Sequence, residues 1–424
     1  MKNITKIFLL TFFLLLNTIS CSNTPANDIS IEKIMDKAID IIATEENLNI
    51  VFPEETEAQN KIIEDNTQRE KDAIPSQEAV NSISQETVPP VTQENYLETI
   101  TAENATKTGS CGDNITYYFK DNILVLKGSG TMYDYGEYTS PPWNKTWGYH
   151  TVINTIVIEE GITNIGAHAF HNNIIEITDI ILPPTITKIG DSAFSGSGLV
   201  SITIPDSVTS IGAKAFAQND FITLTIPDSV TEIGAGAFYL CQELKAIQLL
   251  KNITSIEDET FKYCSALENI TIPNKVTKIG NQAFAMCSSL TQVELPYLLY
   301  EIGEQAFQSC KKLCGIELPE LLMYIDRNAF EYCESLTSII IPECVAVIDG
   351  YTFYNCKNLS SVKLKTTLSK IQNHAFSGCI SLEITIPEKV SEIGSWAFGD
   401  VPQVYYSGNA EDKLKNNWGA VKLN

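Results

Sequence analysis

The residues of this 424-residue chain best suited to chemistry are its cysteines, eleven in all, and seven of them recur at equal intervals: Cys241, Cys264, Cys287, Cys310, Cys333, Cys356 and Cys379. Regularly placed thiols could pair as disulfides, hold a metal or act as nucleophiles. A metal centre needs ligands that converge on one point, often as Cys-x-x-Cys pairs, and the chain has no such pair. Only four histidines are available, His150, His168, His171 and His374, with His168 and His171 flanking Phe170. No Gly-x-Ser-x-Gly, His-Glu-x-x-His, Walker-type phosphate loop or Gly-x-Gly-x-x-Gly occurs. The expectation is a protein without catalysis, cofactor or metal.

The elements that carry the thiols explain their regularity. Phenylalanine recurs at 170, 194, 216, 238, 261, 284, 307, 330, 353, 376 and 398, so eleven copies of one unit of about 23 residues follow each other. An isoleucine stands five residues before each Phe, usually with Gly next, and the residue just before the Phe is Ala in nine copies and Thr in two, Thr260 and Thr352. Each ladder cysteine lies three residues after its Phe. Within a copy such as Phe284 to Ile302, Val293 and Leu295 alternate as strand residues do, and Pro296 ends the strand because it has no amide to donate. Gly after the isoleucine permits a turn.

One coil of this length cannot bury its apolar side, so coils must stack, their strands about 4.8 Å apart. The expected fold is an α/β right-handed solenoid with a parallel strand and a short helical turn in each coil. Equivalent Cβ atoms of neighbouring coils would also be about 4.8 Å apart, beyond the roughly 3.5–4.5 Å of a disulfide. The ladder thiols are therefore expected to stay reduced, as small inward-facing hydrophobes. Cys111, Cys314 and Cys344 lie off the ladder, and whether Cys314 pairs with Cys310 stays open.

The unit Ile279-Gly280-Asn281-Gln282-Ala283-Phe284-Ala285-Met286-Cys287-Ser288-Ser289-Leu290 resembles the BspA-type leucine-rich repeat of bacterial surface proteins. The resemblance extends upstream through Gly109-Ser110-Cys111-Gly112-Asp113-Asn114, Gly128-Ser129-Gly130-Thr131-Met132 and Pro142-Trp143, and downstream through Val404-Tyr405-Tyr406-Ser407-Gly408. It covers residues 109–424, divided into an N-terminal cap segment (109–160), the repeat array (161–400) and a C-terminal cap (401–424). The aromatic residues Tyr133, Tyr135, Tyr138, Trp143, Trp147 and Tyr149 are placed to cover the exposed core of the first coil. The resemblance implies adhesion to host extracellular proteins or to other bacteria, and the alternative is a scaffolding role within the envelope, facing the periplasm.

Upstream, Lys2 and Lys6 precede a ten-residue apolar run from Ile7 to Leu16, too short to span a bilayer and typical of a signal peptide. Thr18-Ile19-Ser20-Cys21 resembles a bacterial lipobox, with Thr18 where Leu is usual; cleavage after residue 20 would leave Cys21 lipid-modified, and the protein exported to the outer membrane or cell surface. Residues 22–109 hold 18 acidic and 6 basic side chains and too little apolar surface for a core. Residues 21–108 are expected to be a mostly disordered tether with one short amphipathic helix over 29–42.

Within the array, one region abandons the polar consensus. Two residues before the repeat isoleucine the series runs Thr163, Thr187, Thr209, Thr231, Thr254, Thr277, then Tyr300, Met323, Ala346, then Ser369, Ser391. Tyr297, Leu298, Leu321, Tyr324 and Val347 likewise replace polar residues, and Ile340 takes an outward strand position that is Thr elsewhere. Stacking should gather Tyr297, Leu298, Tyr300, Leu321, Met323, Tyr324, Ile340 and Val347 into an apolar patch, the expected binding site for a protein ligand. The balance of 29 Lys plus Arg against 52 Asp plus Glu, a net −23, has the wrong sign for neutralising phosphates and excludes nucleic acid as the partner.

Overall fold

The computed structural model describes residues 97–136, 140–143, 152–171, 177–249 and 251–407. The chain divides into two units, Met1–Val91 and Thr92–Asn424. The first unit lies outside the described residues, and with it the signal segment, Cys21 and the 29–42 helix.

The second unit is a stack of coils, each with three hydrogen-bonded stretches. The first is a three-residue strand: Asn269–Thr271 pairs in parallel with Gln292–Glu294, placing Asn269 beside Gln292, Ile270 beside Val293 and Thr271 beside Glu294. Its central residue points into the core and its flanking residues point out. A second, two-residue strand carries the repeat isoleucine, as where Lys278–Ile279 pairs in parallel with Glu301–Ile302. The third stretch carries the Phe. Neighbouring Phe rings lie 5.2–6.0 Å apart with planes within 14° of parallel, one continuous offset stack from Phe170 to Phe398.

The repeat solenoid is as expected, but the short helical turn is not there. Among the described residues α-helix is confined to 97–99, outside the array. Around Phe284 the backbone amides alternate. Those of Ala283, Ala285 and Cys287 donate three residues back, to Gly280, Gln282 and Phe284, whereas those of Gln282, Phe284 and Met286 donate across to Glu304, Ala306 and Gln308 of the next coil. Half the donors a helix would use are spent between coils. This alternation requires left-handed backbone at two columns per coil, such as Gln282 (φ 56) and Met286 (φ 65), a conformation that costs about 1–2 kcal/mol for an L-residue. Cross-coil bonds offset that cost, so the segment is stable only in the stack. Gly280 follows the same logic: its φ is ordinary, but an added Cβ would sit 2.6 Å from the Asp258 nitrogen of the preceding coil. Close approach of coils, not a turn, is what demands glycine there.

At the N-terminal end, β1 (Lys107–Gly112), β2 (Ile115–Lys120) and β3 (Ile123–Gly128) form an antiparallel meander. With β4 (Gly130–Thr131), β3 then behaves as a rudimentary coil: β3 pairs in parallel with β5 (Thr155–Ile158), and β4 with β6 (Ile162–Ile165). Trp143 stacks on Phe170 at 5.6 Å and 18°, heading the aromatic column, and its Nε1 donates to the Ala169 oxygen at 2.8 Å. Tyr117 and Tyr135 close around it edge-on, while Tyr138, Trp147 and Tyr149 lie outside the described residues. On the outer face of the meander, Leu97 and Ile100 pack with Val125, Val157 and Ile181 in a small second core. The folded unit thus starts ahead of residue 109, because outward-facing valines there need an apolar cover that the 97–100 segment supplies.

Candidate binding surface

The column two residues before the repeat isoleucine has a definite structural job. Each hydroxyl donates to the backbone oxygen of the same column one coil earlier: Thr187 to Thr163 at 3.1 Å, Thr209 to Thr187 at 3.2 Å, Thr231 to Thr209 at 3.3 Å, Thr277 to Thr254 at 3.5 Å. Ser369 bonds Ala346 at 3.0 Å and Ser391 bonds Ser369 at 3.3 Å. Tyr300, Met323 and Ala346 interrupt this ladder for three coils. Their backbone is undisturbed: the Tyr300 amide still reaches Thr277 at 2.9 Å and the Met323 amide reaches Tyr300 at 3.0 Å. The apolar residues are therefore not a demand of the coil.

The neighbouring outward column agrees. Along the two-residue strands it runs Lys278, Glu301, Tyr324, Val347, Lys370, Glu392. Lys278 and Glu301 form an ion pair at 2.9 Å, as do Lys370 and Glu392, so two cross-coil pairs bracket an apolar step. The hydrogen bond from Glu301 holds the Lys278 ammonium protonated beyond its ordinary range. Tyr297 is 67% exposed, Tyr324 51% and Leu298 38%; Tyr300, Leu321, Met323 and Val347 are half-buried. Leu298 and Leu321 fall in one column, Tyr300 and Met323 in the next, Tyr324 and Val347 in a third, giving a stripe three coils long. Ile340 does not join it. It is exposed on the other strand ladder, directly opposite Lys363, because a corner at Ile341 and Pro342 separates the two ladders within a coil.

Carboxylates edge the stripe. Glu320 and Glu343 follow Tyr297 in its column, and Asp326 and Asp349 occupy the position that is usually Gly, one residue past the isoleucine. Burial, then the fields of Glu301 and Asp349, push the Asp326 carboxyl up.

A second aromatic strip was not foreseen. Tyr351 stacks on His374 at 4.8 Å, Arg327 lies 5.1 Å over the Tyr351 ring, and Tyr332 and Tyr354 pack edge-on beside them. Trp396, 67% exposed, follows His374 in the same left-handed column. The signal was available: two residues before the Phe the chain reads Gln282, Gln305, Asn328 and then Tyr351, His374, Trp396.

The thiol ladder is buried and reduced. Each Sγ donates to the Phe oxygen of the preceding coil, Cys241 to Phe216, Cys264 to Phe238, Cys287 to Phe261, Cys310 to Phe284, Cys333 to Phe307, Cys356 to Phe330 and Cys379 to Phe353, at 3.1–3.2 Å. Burial pushes the Cys241 and Cys379 thiols up to about 12. Cys111 is buried and pushed up likewise to about 12. Cys314 is exposed and forms no disulfide with the inward Cys310. His168 and His171 meet edge-on at 5.2 Å, and burial, followed by His168, lowers the His171 pKa. Among the described residues no group of three His, Cys, Asp or Glu could hold a metal, and no helix is long and apolar enough to cross a membrane.

The chain matches the family model of the BspA type leucine-rich repeat region over residues 146–221, 163–291 and 277–404, more than half its length. Among solved structures it resembles a leucine-rich repeat protein from Bacteroides ovatus, with 23% identity, 74% of this chain and 98% of that chain covered, and a TM-score of 0.51. A leucine-rich cell surface protein from Faecalibacterium prausnitzii also matches, with 24% identity, 76% and 95% coverage and a TM-score of 0.45. No curated protein matches. The repeat, its stacking and the family model agree: the chain belongs to the BspA-type leucine-rich repeat family.

Proposed function

We propose that this protein is exported, held at the outer membrane or cell surface by a lipid on Cys21, and adheres to a protein of the host or of another bacterium through the stripe of Tyr297, Leu298, Tyr300, Leu321, Met323, Tyr324 and Val347. The observation that carries this reading is the broken hydroxyl ladder. Three successive coils give up a hydrogen bond worth about 1 kcal/mol each and expose apolar side chains, while their backbone pairing is unchanged. Aromatic anchors of this kind are frequent in protein interfaces. No catalytic role is proposed.

The test has two parts. Protease applied to intact cells should release the 109–424 module while a periplasmic control stays protected. A Tyr300→Thr/Met323→Thr/Tyr324→Ser variant should then fold normally and lose attachment to host-matrix or bacterial surfaces that the unaltered protein coats. Resistance of the module until the outer membrane is opened, or undiminished attachment by the variant, would sink the reading.

A further inference from the structure

Charge around the stripe selects among protein partners. From Tyr297 to Gly350 the chain holds nine carboxylates and three cations. The cations are committed elsewhere: Arg327 covers the Tyr351 ring, and Lys311 and Lys312 follow Cys310 on the far side of the Phe column. Of the nine carboxylates, Glu301 is paired with Lys278 and Glu334 with Lys357. Glu304, Glu320, Asp326, Glu343 and Asp349 are in no ion pair among the described residues. Glu320 and Glu343 line one side of the stripe; Asp326 and Asp349 line the other. The apolar floor thus lies between two acidic rows.

Resting on the reading of this stripe as the binding surface, we infer that its occupant is a cationic protein segment, one that sets an apolar side chain on Leu298, Met323 and Tyr324 and its Lys or Arg side chains against Glu320, Glu343, Asp326 and Asp349. A segment laid along the coil axis crosses three coils in about 10 Å, roughly three extended residues, enough for one apolar anchor between two cations. Complementary charge raises the encounter rate and rejects partners of the wrong sign. A second copy of this chain is disfavoured as occupant, since two molecules of net −23 would meet acidic row to acidic row. The crowding of Asp326 by Glu301 and Asp349 is relieved when a cation arrives.

The experiment titrates three short labelled peptides, alternating lysine with leucine, lysine with serine, and glutamate with leucine, into the full chain at low and at physiological ionic strength. Four proteins are compared: unaltered, Tyr300→Thr/Met323→Thr/Tyr324→Ser, Glu320→Gln/Asp326→Asn/Glu343→Gln, and a remote control, Asp206→Asn/Glu232→Gln. The lysine–leucine peptide should bind tightest, weaken about tenfold or more in either stripe variant, and bind the control as it binds the unaltered protein. Equal weakening in control and stripe variants would mean diffuse attraction to an acidic surface and would overturn the inference. So would equal binding of the glutamate–leucine peptide, or a dimer in sedimentation that the stripe variants abolish. If attachment to the coated surfaces depends on Tyr300, Met323 and Tyr324 while no variant alters peptide binding, the cationic assignment alone is lost and the binding surface stands.

Discussion

Cys310 Sγ lies 3.2 Å from the backbone oxygen of Phe284 one coil earlier, an oxygen that also accepts the Cys287 amide at 3.1 Å. The ladder cysteine is thus a donor as well as a small hydrophobe. The first coils reach the same end with other residues: Ser197 Oγ bonds the Phe170 oxygen at 2.7 Å and Asn219 Nδ2 bonds the Phe194 oxygen at 2.8 Å. Replacing Cys310 by Ser should therefore keep stability within about 1 kcal/mol, whereas Cys310→Ala, which removes donor and volume together, should cost about 1–3 kcal/mol. Urea denaturation midpoints decide it, and a Ser variant weaker than the Ala variant would contradict the donor role.

The same thiols set a pH limit. In the unfolded chain they ionise near their ordinary value of 9.0, while burial holds Cys241 and Cys379 up to about 12 in the fold. The folded state therefore keeps protons that the unfolded state gives up. Stability from this source is complete below pH 9 and erodes as pH rises toward 12, by about 1.4 kcal/mol per pH unit for each thiol. Thermal midpoints should fall steeply above pH 9, and less steeply in Cys310→Ser. A native sample at pH 8 treated with iodoacetamide should be modified at exposed Cys314 and spared along the ladder, as read by peptide mass.

Trp143 ends the aromatic column, so Trp143→Ala should leave one face of Phe170 without cover and cost about 3–5 kcal/mol. Trp143→Phe keeps a stacked ring but leaves the Ala169 oxygen without the indole donor, a loss of about 1 kcal/mol. Hydrogen exchange should localise the damage: amides of β5 and β6 lose protection first, and those near Phe353 keep theirs, because a solenoid couples mainly nearest neighbours.

Much of the fold was legible because the Phe and Ile columns recur at an almost constant interval, and stacking turns a sequence interval into a neighbour relation. The turn stretch was not legible. Its left-handed columns hold Leu240, Tyr263, Met286 and Trp396, residues that avoid that conformation when alone, and cross-coil amide bonds invisible in a single copy impose it. Asn219 escaped notice for a related reason: the column was read for sulfur, and its common property is a donor aimed at a Phe oxygen. The stripe was found through its departure from Thr, yet Ile340 was grouped with it because sequence spacing does not tell which of two ladders a corner separates.

Tyr300 and Met323 offer a direct way to ask whether the stripe is built for the coil or for something outside it. Returning both to Thr would let a hydroxyl at 300 bond the Thr277 oxygen and one at 323 bond the oxygen of residue 300, restoring the ladder seen from Thr163 to Thr277. Neither side chain is fully buried, so little apolar burial is lost. The expected result is a denaturation midpoint equal to or above that of the unaltered protein, a gain of up to about 1 kcal/mol. A structural role predicts the opposite, a loss of more than about 1 kcal/mol from removed packing. Stability bought back by restoring the repeat consensus, together with loss of binding, would mark these coils as ones where the repeat has given up stability for a surface.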